Sequence, residues 1–339
     1  MNAPATLSDV QAAMPVLQNM YFNPILRVLV RHRVPDQLDH GPLSASDIAQ
    51  RVGMNALSLT RVLRALSAFG AFQEVSPGVF ANNSVSNLFR DRAGGLRNFA
   101  LYMSSDHYVR AAAALGHSAV TGQSAMKHVF GESFWEYNKR HPDANETFNR
   151  ALAELRGDEH QQIAAAYDWS GVKVVVDVGG GIGSLLASIL AGHVDIRGVL
   201  IEQPELLTDA ERVLAARGLR NRCELKAGSF FDAIPAAGDV WMLCQVLHDW
   251  PDAECNAILR RCRQAIRPTD RLLVAEMLTV PCRPSVQVSQ IDMIMLMYFG
   301  EARQRTVDEY QSLFNSTGFS LTRVLPTAGA FSIVEAAPV

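Results

Sequence analysis

The stretch Val172–Ser184, VKVVVDVGGGIGS, decides how the rest of the chain is read. A β-branched run up to Val178 has the composition of a buried strand, and an apolar helix begins near Ser184 after a loop of glycines. Strand, glycine turn and helix in that order open a ligand-binding α/β unit. Dinucleotide loops space their glycines G-x-G-x-x-G so that a pyrophosphate sits on the helix N-terminus. Here Gly179, Gly181 and Gly183 run directly into Ser184. Asp177 sets a carboxylate beside the loop, which suits a ligand with an ammonium group better than one with phosphates. Glu202 ends the next strand, 19 residues after Gly183, where a carboxylate can accept hydrogen bonds from both hydroxyls of a ribose. Singly, a tight turn and a solvated strand end would explain these residues; together they point to nucleoside binding.

Around this unit, short β-rich runs alternate with amphipathic helices: Val172–Val178, Gly198–Glu202, Arg222–Ala227, Asp239–Cys244 and Arg271–Glu276. The alternation predicts βαβ units and a mostly parallel sheet. Two last runs, Phe319–Leu325 and Phe331–Ala336, are joined only by Pro326–Ala330, too short for a parallel crossover, so they are expected to pair as an antiparallel hairpin at the end of the sheet. Upstream, from Val10 to about Asp168, apolar residues recur three and four apart, as at Val16, Met20, Ile25, Leu26 and Leu29, the pattern of helices. Within it, Ser44–Gly53 reads as a capped helix, Asn55–Phe69 as a second, and Phe72–Ala81 as a hairpin turning at Pro77-Gly78, a winged-helix outline. The fold class is therefore α/β, a Rossmann-like sheet with a terminal antiparallel hairpin, plus a mainly helical winged domain. The expected division is residues 1–165 and 166–339.

Composition bounds the function. The chain has 339 residues, 31 Lys and Arg against 34 Asp and Glu, and 48% hydrophobic and 19% charged residues, which excludes disorder, collagen and coiled coil. Met1–His160 carries 15 basic and 14 acidic residues and the remainder 16 and 20. Neither half has the clustered excess of Lys and Arg that polyanion binding requires. The winged outline could serve DNA binding or a dimerisation scaffold. Its second helix offers only Arg61 and Arg64, and Ser44–Ala81 sets three Arg against Asp47 and Glu74, so the scaffold reading is favoured and no nucleic-acid partner is expected. The N-terminus MNAPATLSDV lacks the blocks of a signal peptide and no apolar run is long enough for a membrane span, so a cytoplasmic location off the membrane is the expectation. Five cysteines, Cys223, Cys244, Cys255, Cys262 and Cys282, without a C-x-x-C pair, read as reduced thiols packed as small apolar groups, with no metal site.

The segments VVVDVGGGIG, LIEQPELL, GSFFDAIP and VLHDWPD, in this order after a helical winged domain and before a terminal hairpin, resemble the S-adenosylmethionine-dependent O-methyltransferases, a family that includes plant caffeate-type and bacterial antibiotic-tailoring enzymes. The resemblance spans nearly the whole chain. It implies S-adenosyl-L-methionine as cofactor, held by Gly179, Gly181 and Glu202 with Asp177 beside the loop. It also implies an adenine site lined by Gly228, Phe230 and Phe231, with Ser229 where an acid is common. A homodimer through the N-terminal domain is implied as well.

Methyl transfer from a sulfonium needs the acceptor positioned and its proton removed. A phenol titrates near 10, so a base contributes roughly 10²–10⁴ in rate. His248, the only histidine after His193, follows the strand Asp239–Cys244 at the sheet edge where α/β ligands bind, and its usual pKa of about 6.5 suits a base at neutral pH. A base of this kind needs a partner to fix its tautomer. Glu276 matches the carboxylate that orients the histidine in the resembling family. Asp249 is a second candidate, or else hydrogen-bonds the substrate or caps the helix starting near Asp252. Three departures from the family stand out: Gln304, in Arg303-Gln304-Arg305-Thr306, replaces a second Glu of plant members, Ser229 replaces an acid, and Cys244 replaces a Lys. Met293 and Met297, four apart on the helix Ser285–Phe299, with Asp292, Met103, Phe130, Trp135 and Phe148, are candidates for an acceptor pocket of thioether and aromatic walls. The expected activity is O-methylation of an aromatic small molecule of secondary metabolism. An N- or C-methyltransferase, or a non-methylating relative on the same fold, is the nearest alternative. A winged-helix transcription regulator sensing a nucleoside is the distant one.

Overall fold

The computed structural model describes residues 22–92, 94–156 and 158–339, so the helical positions Val16 and Met20 lie outside the described residues. The chain divides into two compact units, one built from residues up to 110 with 135–157, the other from 111–134 and 158–339.

In the first unit the winged outline forms as its local signals dictate. The helix Ala45–Val52 is opened by Ser44, whose side chain accepts from Asp47 N–H at 3.0 Å, and ended by Gly53 at φ 69°. Asn55 caps the helix Ala56–Ala68 by accepting from Ser58 N–H at 2.9 Å. Each cap satisfies a backbone donor that the helix itself leaves unpaired. One strand had no legible signal: β1 (Leu43–Ser44) adds to the hairpin of β2 (Gln73–Ser76) and β3 (Val79–Ala81), pairing antiparallel with β3. Ile48, Leu59, Leu63, Phe72 and Phe80 are buried between these elements. Arg64 of the second helix donates to Glu74 of the wing through Nε at 2.9 Å and Nη2 at 2.6 Å, and Gly78 N–H donates to the same carboxylate. One of the two arginines that could have faced a phosphate is thus engaged within the fold.

In the second unit a seven-stranded sheet runs in the order β6-β5-β4-β7-β8-β10-β9. Its strands are β4 (Val174–Val178), β5 (Arg197–Glu202), β6 (Cys223–Ala227), β7 (Val240–Cys244), β8 (Arg271–Met277), β9 (Phe319–Pro326) and β10 (Phe331–Pro338). The first five are parallel, and the expected terminal hairpin docks antiparallel on β8. Alternate residues of β4 face opposite cores: Val175 packs with Leu186, Leu190 and Leu200, and Val176 with Leu243, Ile258 and Leu259. This is the two-residue pleat of a strand buried on both faces.

All five cysteines are free, but Cys282 is exposed, at odds with the expectation that all five pack as apolar groups. It lies between β8 and the helix Val286–Phe299, in a stretch, 281–287, that is exposed throughout. Among the described residues no helix is long and apolar enough to cross a membrane, and no cluster of His, Cys, Asp and Glu could hold a metal ion.

Candidate active site

β4 has β5 on one side and β7 on the other. Such a reversal of strand order opens a crevice at the C-terminal edge of the sheet. The glycine loop, Glu202, Gly228, the turn bearing His248 and Glu276 all follow or end strands at this edge.

Asp177 falls on the Val175 face of β4, beneath the loop, and is 1% exposed. Neither of its carboxylate oxygens has a hydrogen-bond partner. Burial, with Glu202 nearby, pushes the group up to about 7. A Cβ on Gly180 would stand 2.2 Å from Asp177 Oδ2 and 2.7 Å from Leu200 Cδ1. Gly180, which the sequence reading did not single out, is therefore the residue whose backbone crosses the carboxylate. Gly181 differs: at φ +58° it is left-handed, and a Cβ there would meet nothing within 4 Å. Its N–H donates to Glu202 Oε2 at 2.8 Å, and Gln203 N–H donates to Oε1 at 2.7 Å. Glu202 ties the loop to β5, and its remaining lone pairs can still accept from hydroxyls.

Phe230 lies against the loop, since a Cβ on Gly179 would be 3.1 Å from its ring. Phe230 and Phe231 meet edge-on with centroids 4.9 Å apart, and Trp250, also missed from the sequence, meets them at 5.8 and 4.8 Å. Gly228 N–H donates to Glu202 O at 3.0 Å. Ser229 Oγ accepts from Phe231 N–H at 3.2 Å, which closes its own turn. Partnerless buried acid, open space at Gly181, a hydroxyl-accepting Glu202 and three aromatic rings fit a nucleoside with a cationic end.

His248 sits in the short turn Leu247–Asp249 after β7 and is 7% exposed. Its Nδ1 lies 2.6 Å from Gln304 Nε2 and 3.5 Å from Glu276 Oε2, and its Nε2 lies 3.3 Å from Asp249 Oδ1. Gln304 is thus nearer to the ring than Glu276, the partner singled out from the sequence. Glu276 is fully buried, and its Oε1 accepts from Val246 N–H at 3.1 Å and His248 N–H at 3.3 Å. Burial, with the charge of Asp249, pushes it up to about 8. The helix Asp252–Ala265 has Pro251 at its N-cap and no side-chain cap, so capping is not the role of Asp249.

Arg305 also escaped the sequence reading. It is fully buried, donates to Leu247 O and Trp250 O at 2.7 Å each, and pairs with Asp252 at 2.8 Å. Its guanidinium therefore clamps both ends of the histidine turn. Asp292, expected in the pocket wall, accepts from Gln304 N–H at 2.7 Å, which fixes the segment that carries the amide. Met297 is 1% exposed and Met293 46%, four residues apart on the helix Val286–Phe299. Phe130 is half-buried in the same unit. Met103, Trp135 and Phe148 belong to the other unit, where Phe148 packs against Tyr102 and Trp135 with centroids at 5.3 and 6.4 Å.

A family model of the O-methyltransferase domain matches residues 112–320, and one of the O-methyltransferase dimerisation domain matches residues 4–92. The chain is similar to the phenazine O-methyltransferase PhzM of Lysobacter antibioticus, at 36% identity over 93% of this chain and 92% of that one. Among solved structures it is similar to the mitomycin 7-O-methyltransferase MmcR, with a TM-score of 0.92, 34% identity and 98% of each chain covered. It is also similar to NcsB1, an O-methyltransferase from neocarzinostatin biosynthesis solved with S-adenosylmethionine and 2-hydroxy-5-methyl naphthoic acid. That match has a TM-score of 0.82, 33% identity, and covers 95% of this chain and 98% of that one.

Proposed function

The chain belongs to the S-adenosylmethionine-dependent O-methyltransferases with a dimerisation domain, and from that premise we propose that it methylates a hydroxyl of an aromatic small molecule in secondary metabolism. The observation that carries the reading is the imidazole of His248, at the same sheet edge as the glycine loop, with a polar partner on each ring nitrogen. Residues 166–339 hold the cofactor and the chemistry, and the dimerisation-domain model over residues 4–92 supports a homodimer through the N-terminal domain.

Asp177, through its field, and the backbone of Gly179 and Gly181 hold the amino-acid end of the cofactor. Glu202 holds the ribose. Gly228, Ser229, Phe230, Phe231 and Trp250 enclose the base. When bound, S-adenosylmethionine supplies an electrophilic methyl group and leaves as the neutral thioether. His248 Nε2 takes the hydroxyl proton as the oxygen attacks, Asp249 stabilises the imidazolium that forms, and Glu276 orients the ring from the Nδ1 side and gains its charge as that imidazolium develops. Asp249 also stands where it can orient the acceptor. The naphthoate bound to NcsB1 supports a flat aromatic acceptor for this chain.

Incubation of the protein and S-adenosylmethionine with a panel of phenols, amines and activated carbons, read by mass spectrometry, tests the reading. Methylated phenols with unmodified amines and carbons are expected. Methylation confined to nitrogen or carbon would overturn it.

A further inference from the structure

Gln304 reaches His248 from a segment pinned on every side. Asp292 accepts its backbone N–H at 2.7 Å, Thr279 Oγ1 donates to its carbonyl at 3.1 Å, and its neighbours Arg303 and Arg305 both pair with Asp252, at 2.9 and 2.8 Å. Its side chain is 4% exposed, and it stands 2.6 Å from Nδ1 where Glu276 stands 3.5 Å away. An amide has a donor end and an acceptor end of nearly the same shape, and a carboxylate only accepts. With the amide nitrogen on Nδ1, that ring atom accepts, and the ring proton sits on Nε2 towards Asp249 Oδ1. Nε2 is then no base. In that orientation Gln304 Oε1 is buried without a hydrogen-bond partner. A half-turn of the amide sets Oε1 against Nδ1–H, moves the amide N–H groups to where Oε1 stood, and leaves the lone pair of the ring on Nε2.

We infer that Gln304 is a positioning residue that selects the tautomer of His248, its amide deciding which ring nitrogen carries the proton. The inference rests on the reading of His248 as the base and deepens it. Among the described residues, the charged and titratable groups facing the ring and its partners include Glu276 from β8, Asp249 on the same turn, Arg305 on the carbonyls of that turn, Asp252 beyond it, and Tyr310 and Cys255 behind Glu276. Gln304 is the nearer of the two groups on Nδ1 and, unlike Glu276, carries no charge at any pH, so it holds Nδ1–H as a neutral partner throughout. A Glu at this position would fix the same tautomer but draw positive charge onto the ring.

Nitrogen-15 NMR of histidine-labelled protein with S-adenosylhomocysteine bound tests this, the signals of His248 being those lost in His248→Ala. In the wild type the proton is expected on Nδ1. Gln304→Leu should move it to Nε2. Gln304→Glu should keep it on Nδ1 and raise the titration midpoint of the ring by about one pH unit or more. A wild-type proton on Nε2, or a tautomer and midpoint unmoved by both variants, would overturn the inference. Normal turnover in His248→Ala would remove the base reading and leave the tautomer result standing. A tautomer indifferent to residue 304 would remove the inference and leave the base reading standing.

Discussion

Gly180 lies directly over Asp177: a Cβ at position 180 would be 2.2 Å from Asp177 Oδ2. No rotation of the carboxylate relieves this cheaply, because the side chain is buried and Leu200 closes the other flank. Gly180→Ala should therefore cost about 1–3 kcal/mol of stability as an overpacked site. It should also weaken S-adenosylhomocysteine about tenfold or more in a calorimetric titration, a loss of about 1.4 kcal/mol. Gly192, where a Cβ meets nothing within 4 Å, is the control: Gly192→Ala should bind as the wild type does. Wild-type affinity in Gly180→Ala would refute the close-approach argument.

Asp177 makes stability depend on pH. Folded, it keeps its proton up to about 7, whereas the unfolded chain releases it near 3.9. Between those values the folded state binds more protons, so this group's contribution falls as pH rises through the window and is flat above it. Asp177→Asn has nothing to ionise there. Without cofactor, its melting temperature should match the wild type near pH 4 and exceed it increasingly up to about pH 7. With cofactor, it should bind S-adenosylhomocysteine more weakly. A melting-temperature difference that does not change with pH would contradict the burial argument.

Arg305→Leu removes a fully buried cation from two carbonyls and from Asp252. Leaving those partners unpaired should cost about 3–5 kcal/mol in denaturant unfolding. Arg303→Ala, at the more open side of the same acid, should cost about 1 kcal/mol or less. Equal effects of the two would show that the clamp on the histidine turn is unimportant.

Arg64 and Glu74 bear on the winged unit. Their two-point ion pair engages an arginine that DNA contact would need, and the dimerisation-domain model matches residues 4–92, so the protein should sediment as a dimer and show no salt-sensitive retention of duplex DNA. Tight binding of random duplexes that weakens steeply with salt would favour a regulator instead.

The features legible in the sequence were those carried by neighbours in the chain. Ser44 and Asn55 announce their helices because a cap acts over three residues. The glycine loop reads as such because a β-branched strand precedes it, and the last two strands declare a hairpin because only Pro326–Ala330 joins them. What escaped depends on distant pairs. β1 is too short for any period. Trp250 meets Phe230 and Phe231 only once β6 and β7 lie in one sheet. Gln304 stood out as the replacement of a second Glu, but its place on the His248 ring depends on a contact across 56 residues. Met293 and Met297 fit one helical face by spacing, yet the helix buries its C-terminal end and opens near Met293, a difference that periodicity cannot resolve.

The turnover of His248→Ala, measured at neutral pH on whichever phenol of the panel is methylated, tests the central claim most directly. The account predicts a fall in kcat of roughly 10²–10⁴ with S-adenosylhomocysteine affinity nearly intact, because a general base acts in the transition state. Glu276→Gln should fall less far, and the His248→Ala rate should recover as the pH nears the acceptor's own pKa. Near-normal turnover of His248→Ala at neutral pH would contradict the account, since positioning alone would then suffice.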